Sequence, residues 1–335
     1  MTSTPNETRK RSLSGIKPTG IPHLGNYLGM IQPAIELQQE YEAFYFAADY
    51  HALTTVKDPV KMRRLVYHLT AYFLAFGLDP QRGAFFRQSD IPEVTELTWL
   101  LSSVTHMGLL ERAHSYKASI DKGIEKEINH GVFTYPVLMA SDILIYDSDV
   151  VPVGADQIQH LEMTRDMAQK FNAAFKGDYL KLPEARVRKD VATVPGIDGR
   201  KMSKSYGNLI EPLLPPKKLR KQVMKIETDS KGMEESKDPS KCTVVALYRL
   251  FASPQEVAAM EENYRRGGYG YGHAKEELFQ KLDAHFGPYR EKYEAIKEDE
   301  DFLEETLRKG AARVRPVVES VMDRVRRASG IGPLS

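Results

Sequence analysis

The sequence predicts an α/β fold, built on a doubly wound parallel sheet, with an all-helical region after it. Short apolar runs with strand character alternate with amphipathic stretches of helical period, which is the pattern of a parallel sheet joined by crossover helices. These runs lie at 11–16, 43–48, 83–87 and 149–153. Pro212, Pro215 and Pro216 then mark a linker. The residues beyond it have helical character almost to the end of the sequence, so a second, helical domain is expected.

The first strand leads into a segment with the features of an anion site. A turn rich in proline and glycine follows the strand, and His23 then opens an apolar-periodic stretch that runs to about Tyr41. Unpaired backbone N–H groups and the helix dipole point at whatever lies at such a strand–turn–helix junction. His23 and Asn26 project side-chain donors from one face of the first turn, and Gly25 lets a flat ligand approach the backbone.

Helical periods continue between the later strands. The predicted helices lie at about 59–76, at 91–146 with a break near 121–123, and at 154–171. Residues 178–200 are predicted to be irregular. A basic helix is expected to open soon after the linker.

The last predicted helix has two kinds of side chain at helical spacing. A valine stripe is expected to face a core, and it consists of Val314, Val317, Val318, Val321 and Val325. The arginines among these valines are interpreted as a solvated face, and they are Arg313, Arg315, Arg324, Arg326 and Arg327.

A polar segment flanked by glycines carries two lysines three positions apart, in the order Lys201, Met202, Ser203, Lys204 and Ser205. The absence of a hydrophobic period predicts a mobile loop that bears two compact, strongly hydrated cations. An isolated Lys-x-x-Lys is more often an ordinary solvated loop. The segment gains meaning from the anion site far upstream, because phosphates held there need nearby cations.

Length, net charge, cysteine content and the lengths of the apolar runs limit the classes of function that this protein can have. A chain of 335 residues is long enough for two domains with separate cores. The net charge of +1 excludes a protein that is strongly charged throughout, but it is compatible with local patches that bind nucleic acid. The single cysteine, Cys242, excludes a disulfide framework and any cysteine-rich metal centre. Residues 1–10 are polar and predict a disordered tail without a signal-peptide core. No apolar run is long enough for a membrane span, so a cytoplasmic protein is expected.

Two motifs together resemble the signatures of class I aminoacyl-tRNA synthetases: His-Leu-Gly-Asn at 23–26 and Lys-Met-Ser-Lys-Ser at 201–205. Further segments resemble the bacterial tryptophanyl-tRNA synthetases in particular. They are Asp-Tyr-His-Ala at 49–52, Tyr-Pro-Val-Leu-Met-Ala-Ser-Asp at 135–142 and Val-Pro-Val-Gly-Ala-Asp-Gln-Ile-Gln-His at 151–160, and the likeness extends over roughly 11–330.

The resemblance implies adenylate chemistry with ATP. Attack of a carboxylate on the α-phosphorus needs in-line positioning and cations where charge builds on the departing pyrophosphate. His23 and Asn26 would hold phosphate oxygens, and Lys201 and Lys204 would close over the leaving group. The other ATP contacts are expected at Lys17, Gly25, Asp156, Met202 and Ser203. Mg²⁺ is expected to bridge the phosphates, with no dedicated acidic cluster and hence no protein metal site.

Asp142 is the candidate specificity residue. It lies among Met and Leu, where an acid is costly to bury without a donor. From spacing alone, pairing with a lysine or a backbone amide is the better interpretation. The resemblance implies instead that Asp142 would accept the indole N–H of L-tryptophan, and that Tyr135 and Gln157 would hold its ammonium group. The remaining residues expected to line the ring are Leu13, His51, Met139, Ile143, Val151 and Val153.

The implied architecture is a class I Rossmann catalytic domain at 11–210 and a helical anticodon-binding domain at 211–330. The family works as a homodimer, with an insertion near 88–147 supplying much of the dimer surface. The implied activity is that of an ATP-dependent tryptophan–tRNA ligase, which forms tryptophanyl-adenylate and then charges tRNA(Trp).

Two features of this sequence depart from the family pattern. Lys17 stands where bacterial relatives often have glutamine, near the expected positions of the substrate carboxylate and ATP. Lys117 and Lys122 lie in a segment that does not align cleanly with the family's phosphate-contacting lysine. None of these three lysines is assigned a catalytic role from sequence.

Three alternatives remain open at this stage. A tyrosyl-tRNA synthetase shares both signatures, but it needs polar partners for a phenol where this chain has Leu13 and Met139. A non-catalytic paralogue would be expected to have lost motif residues that are intact here. A small-molecule nucleotidylyltransferase shares the His-x-Gly-His chemistry but has no need for the helical half.

Overall fold

A computed structural model describes residues 9–113, 116, 128–154, 157–187 and 194–332. Its centre is a five-stranded parallel sheet in the order β3-β2-β1-β4-β5. The strands are β1 Arg11–Ile16, β2 Glu42–Ala47, β3 Gly83–Arg87, β4 Val150–Val153 and β5 Glu184–Val187. The predicted doubly wound parallel sheet is therefore confirmed, with the four predicted strands placed within one residue of their expected limits.

The prediction of irregular structure at 178–200 is wrong for β5. Among the described residues this strand pairs with β4 alone, and its sequence, Glu-Ala-Arg-Val, alternates charged and apolar residues. Arg186 forms an ion pair with Glu40 at 2.9 Å. Charged side chains are common on edge strands because they hinder pairing with other chains, and they also mask the apolar alternation by which strands are recognised in a sequence.

Helices cover both faces of the sheet. Those of the first half are α1 Leu24–Asn26, a π-helical turn Tyr27–Ile31, α2 Gln32–Leu37, α3 Asp49–Ala52, α4 Pro59–Ala75, a 3-10 turn Gln88–Asp90, α5 Glu93–Ser102, α6 Met107–Glu111, α7 His130–Leu144 and α8 Ile158–Ala174. Those of the second half are a 3-10 turn Lys204–Tyr206, α9 Pro216–Met224, a 3-10 turn Pro239–Lys241, α10 Thr243–Tyr248, α11 Pro254–Arg266, α12 Tyr271–Ile296 and α13 Glu300–Ser329. Among the helices of these described ranges, none is long and apolar enough to cross a membrane.

The helical stretch after β1 is shorter than predicted, because it ends at Leu37 rather than near Tyr41. The buried side chain of Gln38 bonds across to the next crossover, where its amide donates to the carbonyl of Gly77 and accepts from the amide of Asp79, both at 2.9 Å. These contacts draw the chain out of the helix and towards β2.

Alternate residues of the sheet face two different cores, as the strand period requires. Tyr45 lies in the core shared with α4 and with the helices from α9 to α12. Phe44 lies in the opposite core, with α5, α7 and α8. The last helix, α13, also enters this second core and packs across β3.

The valine stripe of α13 is buried, as predicted, apart from Val317, which is half-buried. The interpretation of the neighbouring arginines as a solvated face is wrong for most of them. Three of them form ion pairs with acids of other elements: Arg315 with Glu93, Arg324 with Asp147 and Arg326 with Glu96. Arg313 donates to the carbonyls of Pro80 and Gln81. Arg327 pairs with Asp323 of its own helix. The acids of the first three pairs are distant in sequence, so helical spacing alone does not reveal them.

Gly310 allows α13 to approach β3 closely. An ideal Cβ at this position would lie 1.9 Å from the carbonyl oxygen of Phe85. Gly310→Ala is therefore expected to lower the free energy of unfolding by on the order of 3 kcal/mol, because helix and strand must separate. Urea unfolding followed by circular dichroism measures this change.

Gly287→Ala in α12 is the matched control, because a Cβ there meets no atom within 4 Å. Since alanine favours a helix interior, this variant is expected to gain about 0.5–1 kcal/mol. Equal urea midpoints for Gly310→Ala and the wild type would contradict the close packing of α13 on β3.

Candidate active site

The turn after β1 and the start of α1 build the first wall of the site. The amide of His23 donates to Oδ1 of Asn26 at 3.2 Å, so the carboxamide oxygen caps the helix and its NH₂ group remains as a donor. The amide of Leu24 donates to the carbonyl of Ile210 at 2.9 Å. This bond ties the helix start to the chain that follows the two-lysine segment.

The imidazole of His23 is buried at the start of α1. Its Nδ1 has no hydrogen-bond partner among the residues that the structure describes. Burial, and secondarily the nearby Lys204 ammonium, lower the pKa of His23 to about 4, so the ring is neutral at pH 7. A Cβ on Gly25 would lie 3.0 Å from this ring, so glycine at this position avoids a steric clash with the imidazole. A neutral imidazole with an unused nitrogen can donate one hydrogen bond to an incoming oxygen.

The two-lysine segment is pinned at both ends. Met202 is buried, and its amide donates to the carbonyl of Val194 at 2.9 Å. Asn208, also buried, accepts from the amide of Ser203 at 2.8 Å and donates to the carbonyl of Lys201 at 3.1 Å. Asn208 was not predicted as a site residue, because its role depends on the turn that it closes.

The structure brings Lys204 against the first turn. An ideal Cβ on Gly20 would lie 3.2 Å from its Nζ, so the ammonium contacts the segment between β1 and α1. Lys204 is exposed to solvent as a whole, but the protein atoms around its ammonium lower its pKa, and Glu211 opposes this shift. Lys201 is also exposed. The two motifs predicted to cooperate therefore meet through Lys204 at Gly20 and through Met202, whose Cβ lies 3.8 Å from an ideal Cβ on Gly25.

Asp142 lies in a separate, closed part of the site with 2% of its surface exposed. His51 Nε2 donates to its Oδ2 at 2.9 Å, and the amide of Gln88 donates to Oδ1 and Oδ2 at 2.7 and 2.9 Å. Burial raises the pKa of Asp142, while the bonds from His51 and Gln88 oppose that shift. The partner expected from spacing alone, a lysine or a backbone amide, is therefore wrong. Each carboxylate oxygen can accept two bonds, so Oδ1 can take a further donor.

Gln88 was not predicted from the sequence. It is fully buried at the carboxyl end of β3, and its Oε1 accepts from the amide of Tyr50 at 3.0 Å. It thus links Asp142 to the turn that carries His51. The available signal was its position: polar residues at the carboxyl ends of parallel strands line ligand sites.

The apolar side chains predicted to line the ring belong to the core on the same face of the sheet as α7, the helix that carries Asp142. Leu13, Ile143, Val151 and Val153 are buried in the same core, and Met139 packs against it with part of its surface exposed. On the other side, the ring of Tyr135 meets the ring of His51 edge-on, with centroids 6.3 Å apart, and its hydroxyl bonds to His160. Gln157 is half-buried, whereas Asp156, Lys117 and Lys122 lie outside the described residues.

Lys17 lies between the two parts of the site. Its Nζ donates to Oγ1 of Thr54 at 2.8 Å, and that hydroxyl donates to the carbonyl of His51 at 2.8 Å. Burial lowers the pKa of Lys17.

The sequence model of one protein family, the class I tRNA synthetases specific for tryptophan and tyrosine (W and Y), matches residues 5–287.

The chain belongs to this family of class I tRNA synthetases.

Two curated relatives and one solved structure similar to this synthetase are named as specific for tryptophan. The chain is 51% identical to the tryptophan–tRNA ligase of Rhodopirellula baltica, over 96% of this chain and 99% of that protein. It is 48% identical to that of Fusobacterium nucleatum, over 96% and 97%. The crystal structure of tryptophanyl-tRNA synthetase from Campylobacter jejuni, complexed with ADP and tryptophan, superimposes with a TM-score of 0.90 at 44% identity, over 96% of this chain and 100% of that one.

Gln88→Leu tests whether the amide positions the carboxylate of this synthetase. We expect the KM for tryptophan in adenylate formation to rise about tenfold with a smaller change in kcat, because Asp142 loses two charge-assisted hydrogen bonds. Initial rates of ATP–pyrophosphate exchange measure both constants.

Gln38→Leu is the matched control, since it removes another buried amide that holds two backbone groups, at the opposite edge of the sheet, before β2 and β3. It is expected to lower stability but to leave the KM for tryptophan unchanged. If Gln88→Leu also leaves that constant unchanged, Gln88 has no positioning role.

Proposed function

We propose that the protein activates L-tryptophan with ATP, forming tryptophanyl-adenylate and pyrophosphate, and then transfers tryptophan to tRNA(Trp). The observation that carries this proposal is the buried Asp142, held by His51 and Gln88 within an apolar slot at the carboxyl edge of the sheet. A buried acceptor in apolar surroundings suits a flat ring whose single polar group is an N–H donor. The tryptophan–tRNA ligases to which the chain is similar support the same activity.

The ATP end of the reaction is assigned to the turn before α1 and to the lysine loop. The substrate carboxylate attacks the α-phosphorus, the bond to the bridging oxygen breaks, and negative charge builds on the departing pyrophosphate. His23 and Asn26 donate hydrogen bonds to phosphate oxygens, and Lys204 and Lys201 neutralise the growing charge. The other proposed ATP contacts are Lys17, Gly25, Asp156, Met202 and Ser203.

Mg²⁺ fits this arrangement as a companion of the triphosphate. Within the described ranges, no three His, Cys, Asp or Glu side chains cluster in a way that could hold a metal ion. Mg²⁺ commonly accompanies nucleotides in another way, held by phosphate oxygens and water. When bound, it would add positive charge near the leaving group.

The tryptophan end is assigned to the slot around Asp142. The indole N–H donates to the carboxylate, and the ring lies among Leu13, Met139, Ile143, Val151 and Val153, with His51 at its edge. Tyr135 and Gln157 bind the ammonium group. A tyrosine side chain would place its hydroxyl against the apolar surfaces of Leu13 and Met139, where the phenol loses its hydrogen bonds to water.

Lys17 is proposed to bind the substrate carboxylate or a phosphate oxygen. Its ammonium group is already anchored by Thr54, which in turn touches the backbone of His51. A cation here would strengthen ground-state binding while making the nucleophilic carboxylate less reactive.

The proposed working form is a cytoplasmic homodimer, since the tRNA partner is found in the cytoplasm. Trp99 in α5 is 78% exposed and Met107 in α6 is 61% exposed. Large apolar side chains exposed in this way support a protein interface over the segment 88–147. We propose a catalytic domain at 11–210 and an anticodon-binding domain at 211–330, whose last helix returns to pack on β3.

Charging of tRNA tests the whole proposal. Purified protein with ATP, Mg²⁺ and tRNA(Trp) is expected to attach labelled tryptophan to the tRNA, and to attach labelled tyrosine at least 10³-fold less efficiently. Comparable charging with tyrosine would favour the tyrosyl enzyme. No charging with either amino acid would favour a non-catalytic paralogue or a small-molecule nucleotidylyltransferase.

A further inference from the structure

The first two turns of α4, together with Lys57 just before the cap residue Asp58, carry a cluster of positive charges. The α4 basic surface consists of Lys57, Lys61, Arg63 and Arg64, all exposed. Within the described ranges, none of these four side chains forms an ion pair. The only acid in the segment is Asp58, whose Oδ1 is engaged as the helix cap and accepts from the amides of Val60 and Lys61. The arginines of α13 differ, because four of the five form ion pairs with acids.

A cavity of about 300 Å³ opens beside this surface. Lys57 and Arg63 contribute to its lining, together with the apolar side chains of Leu53, Val56 and Met62. Its size is at the lower end for small-ligand sites, so it can hold a group such as a nucleobase or a sugar. The cavity therefore combines cations for a phosphate with an apolar surface for a ring.

The cavity adjoins the proposed tryptophan slot. Asp49 and Ser89, which follow β2 and β3, line the cavity and are bonded to each other, with the amide of Ser89 donating to Asp49 Oδ1 at 3.0 Å. Two residues beyond Asp49 on the same short helix, His51 donates to Asp142. Leu53, which also lines the cavity, precedes Thr54, the residue bonded to Lys17, so a chain that crosses the α4 basic surface approaches the position proposed for the substrate carboxyl group.

We propose that the α4 basic surface binds phosphates of the single-stranded acceptor end of tRNA and that the cavity takes one of its nucleosides. This inference rests on the proposed function, which requires the terminal ribose of tRNA to reach the adenylate. Charge complementarity supports the partner, because four cations spread over eight residues suit the repeated phosphates of a nucleic acid. The triphosphate of ATP already has its own cation in Lys204.

The double variant Arg63→Ala/Arg64→Ala tests this surface in two assays. In tRNA charging, we expect the KM for tRNA to rise about tenfold, since two phosphate contacts are lost. The slope of log KM against log salt concentration is expected to fall by about 1.4, which corresponds to two phosphates of a single strand. ATP–pyrophosphate exchange with tryptophan, which needs no tRNA, is expected to stay within about twofold of the wild type.

Arg308→Ala/Lys309→Ala is the matched control, because it removes an adjacent pair of exposed cations that belong neither to the α4 basic surface nor to the lining of the cavity. It is expected to leave both assays unchanged. Arg63→Lys/Arg64→Lys keeps the charge and is expected to restore most of the affinity for tRNA. Lys57→Ala/Lys61→Ala changes other residues of the same surface and is expected to raise the KM for tRNA as well.

An unchanged KM and salt slope in both alanine variants, with normal exchange, would overturn the proposed surface while leaving the proposed function intact. Loss of exchange in both variants would also overturn it, because the surface would then serve adenylate formation. Absence of exchange in the wild type would instead defeat the proposed function itself.

Discussion

Replacing Lys204 with alanine is expected to lower the kcat of adenylate formation by about 10²–10³-fold while leaving the KM for tryptophan nearly unchanged. The ammonium lies against Gly20 in the turn before α1, beside the buried imidazole of His23. A cation at this position does most of its work when charge accumulates on pyrophosphate. Its removal should therefore raise the transition-state barrier more than it weakens ground-state binding.

Single-turnover formation of tryptophanyl-adenylate measures the effect without interference from product release. Lys217→Ala, which removes an exposed cation from α9, is the control and should retain wild-type turnover. A Lys204→Ala enzyme with normal kcat, or one whose only defect is a raised KM for ATP, would contradict a role in the transition state.

Replacing Asp142 with alanine is expected to reduce the preference for tryptophan over phenylalanine by about 100-fold. Both side chains present an apolar aromatic ring, but only the indole of tryptophan has an N–H donor, and a site built to bond such a group rejects ligands that lack it. The change also leaves the donors of His51 and Gln88 buried without their acceptor. Each unpaired donor is expected to lower the free energy of unfolding by about 1–3 kcal/mol.

Asp142→Asn addresses the possibility that the alanine variant does not fold. It keeps the volume of the side chain but removes the charge, and one of its two positions becomes a donor that cannot accept. Ratios of kcat/KM for the two amino acids in pyrophosphate exchange measure selectivity in both variants. Full selectivity in both would show that Asp142 has a structural role only.

The parts of the molecule that depend on local pattern were predictable. The strand before the first turn, the helix opening at His23 and the burial of the valines in α13 each follow from a periodicity or a turn within one segment. Asp142 was also identifiable, because an acid within an apolar helix face needs a partner. Its actual partners belong to other segments, and spacing along the sequence does not contain them.

Features that depend on tertiary contact were not predictable from one sequence. The position of Gln88 at the end of a strand suggests a ligand site, but only folding shows that its amide bonds to Asp142. The arginine pairs of α13 have the same cause, since Arg324 meets Asp147 across a long sequence separation. β5 was missed for another reason: its charged residues, such as Arg186, interrupt the apolar run by which strands are recognised.

The measurement that tests the central claim most directly is tryptophan-dependent exchange of labelled pyrophosphate into ATP. The arrangement of Lys204 over the first turn, beside the acid-lined slot, predicts exchange that requires Mg²⁺, saturates with tryptophan and is at least 10³-fold weaker with tyrosine. Return of no label to ATP in the presence of tryptophan, or equal exchange with both amino acids, would contradict it.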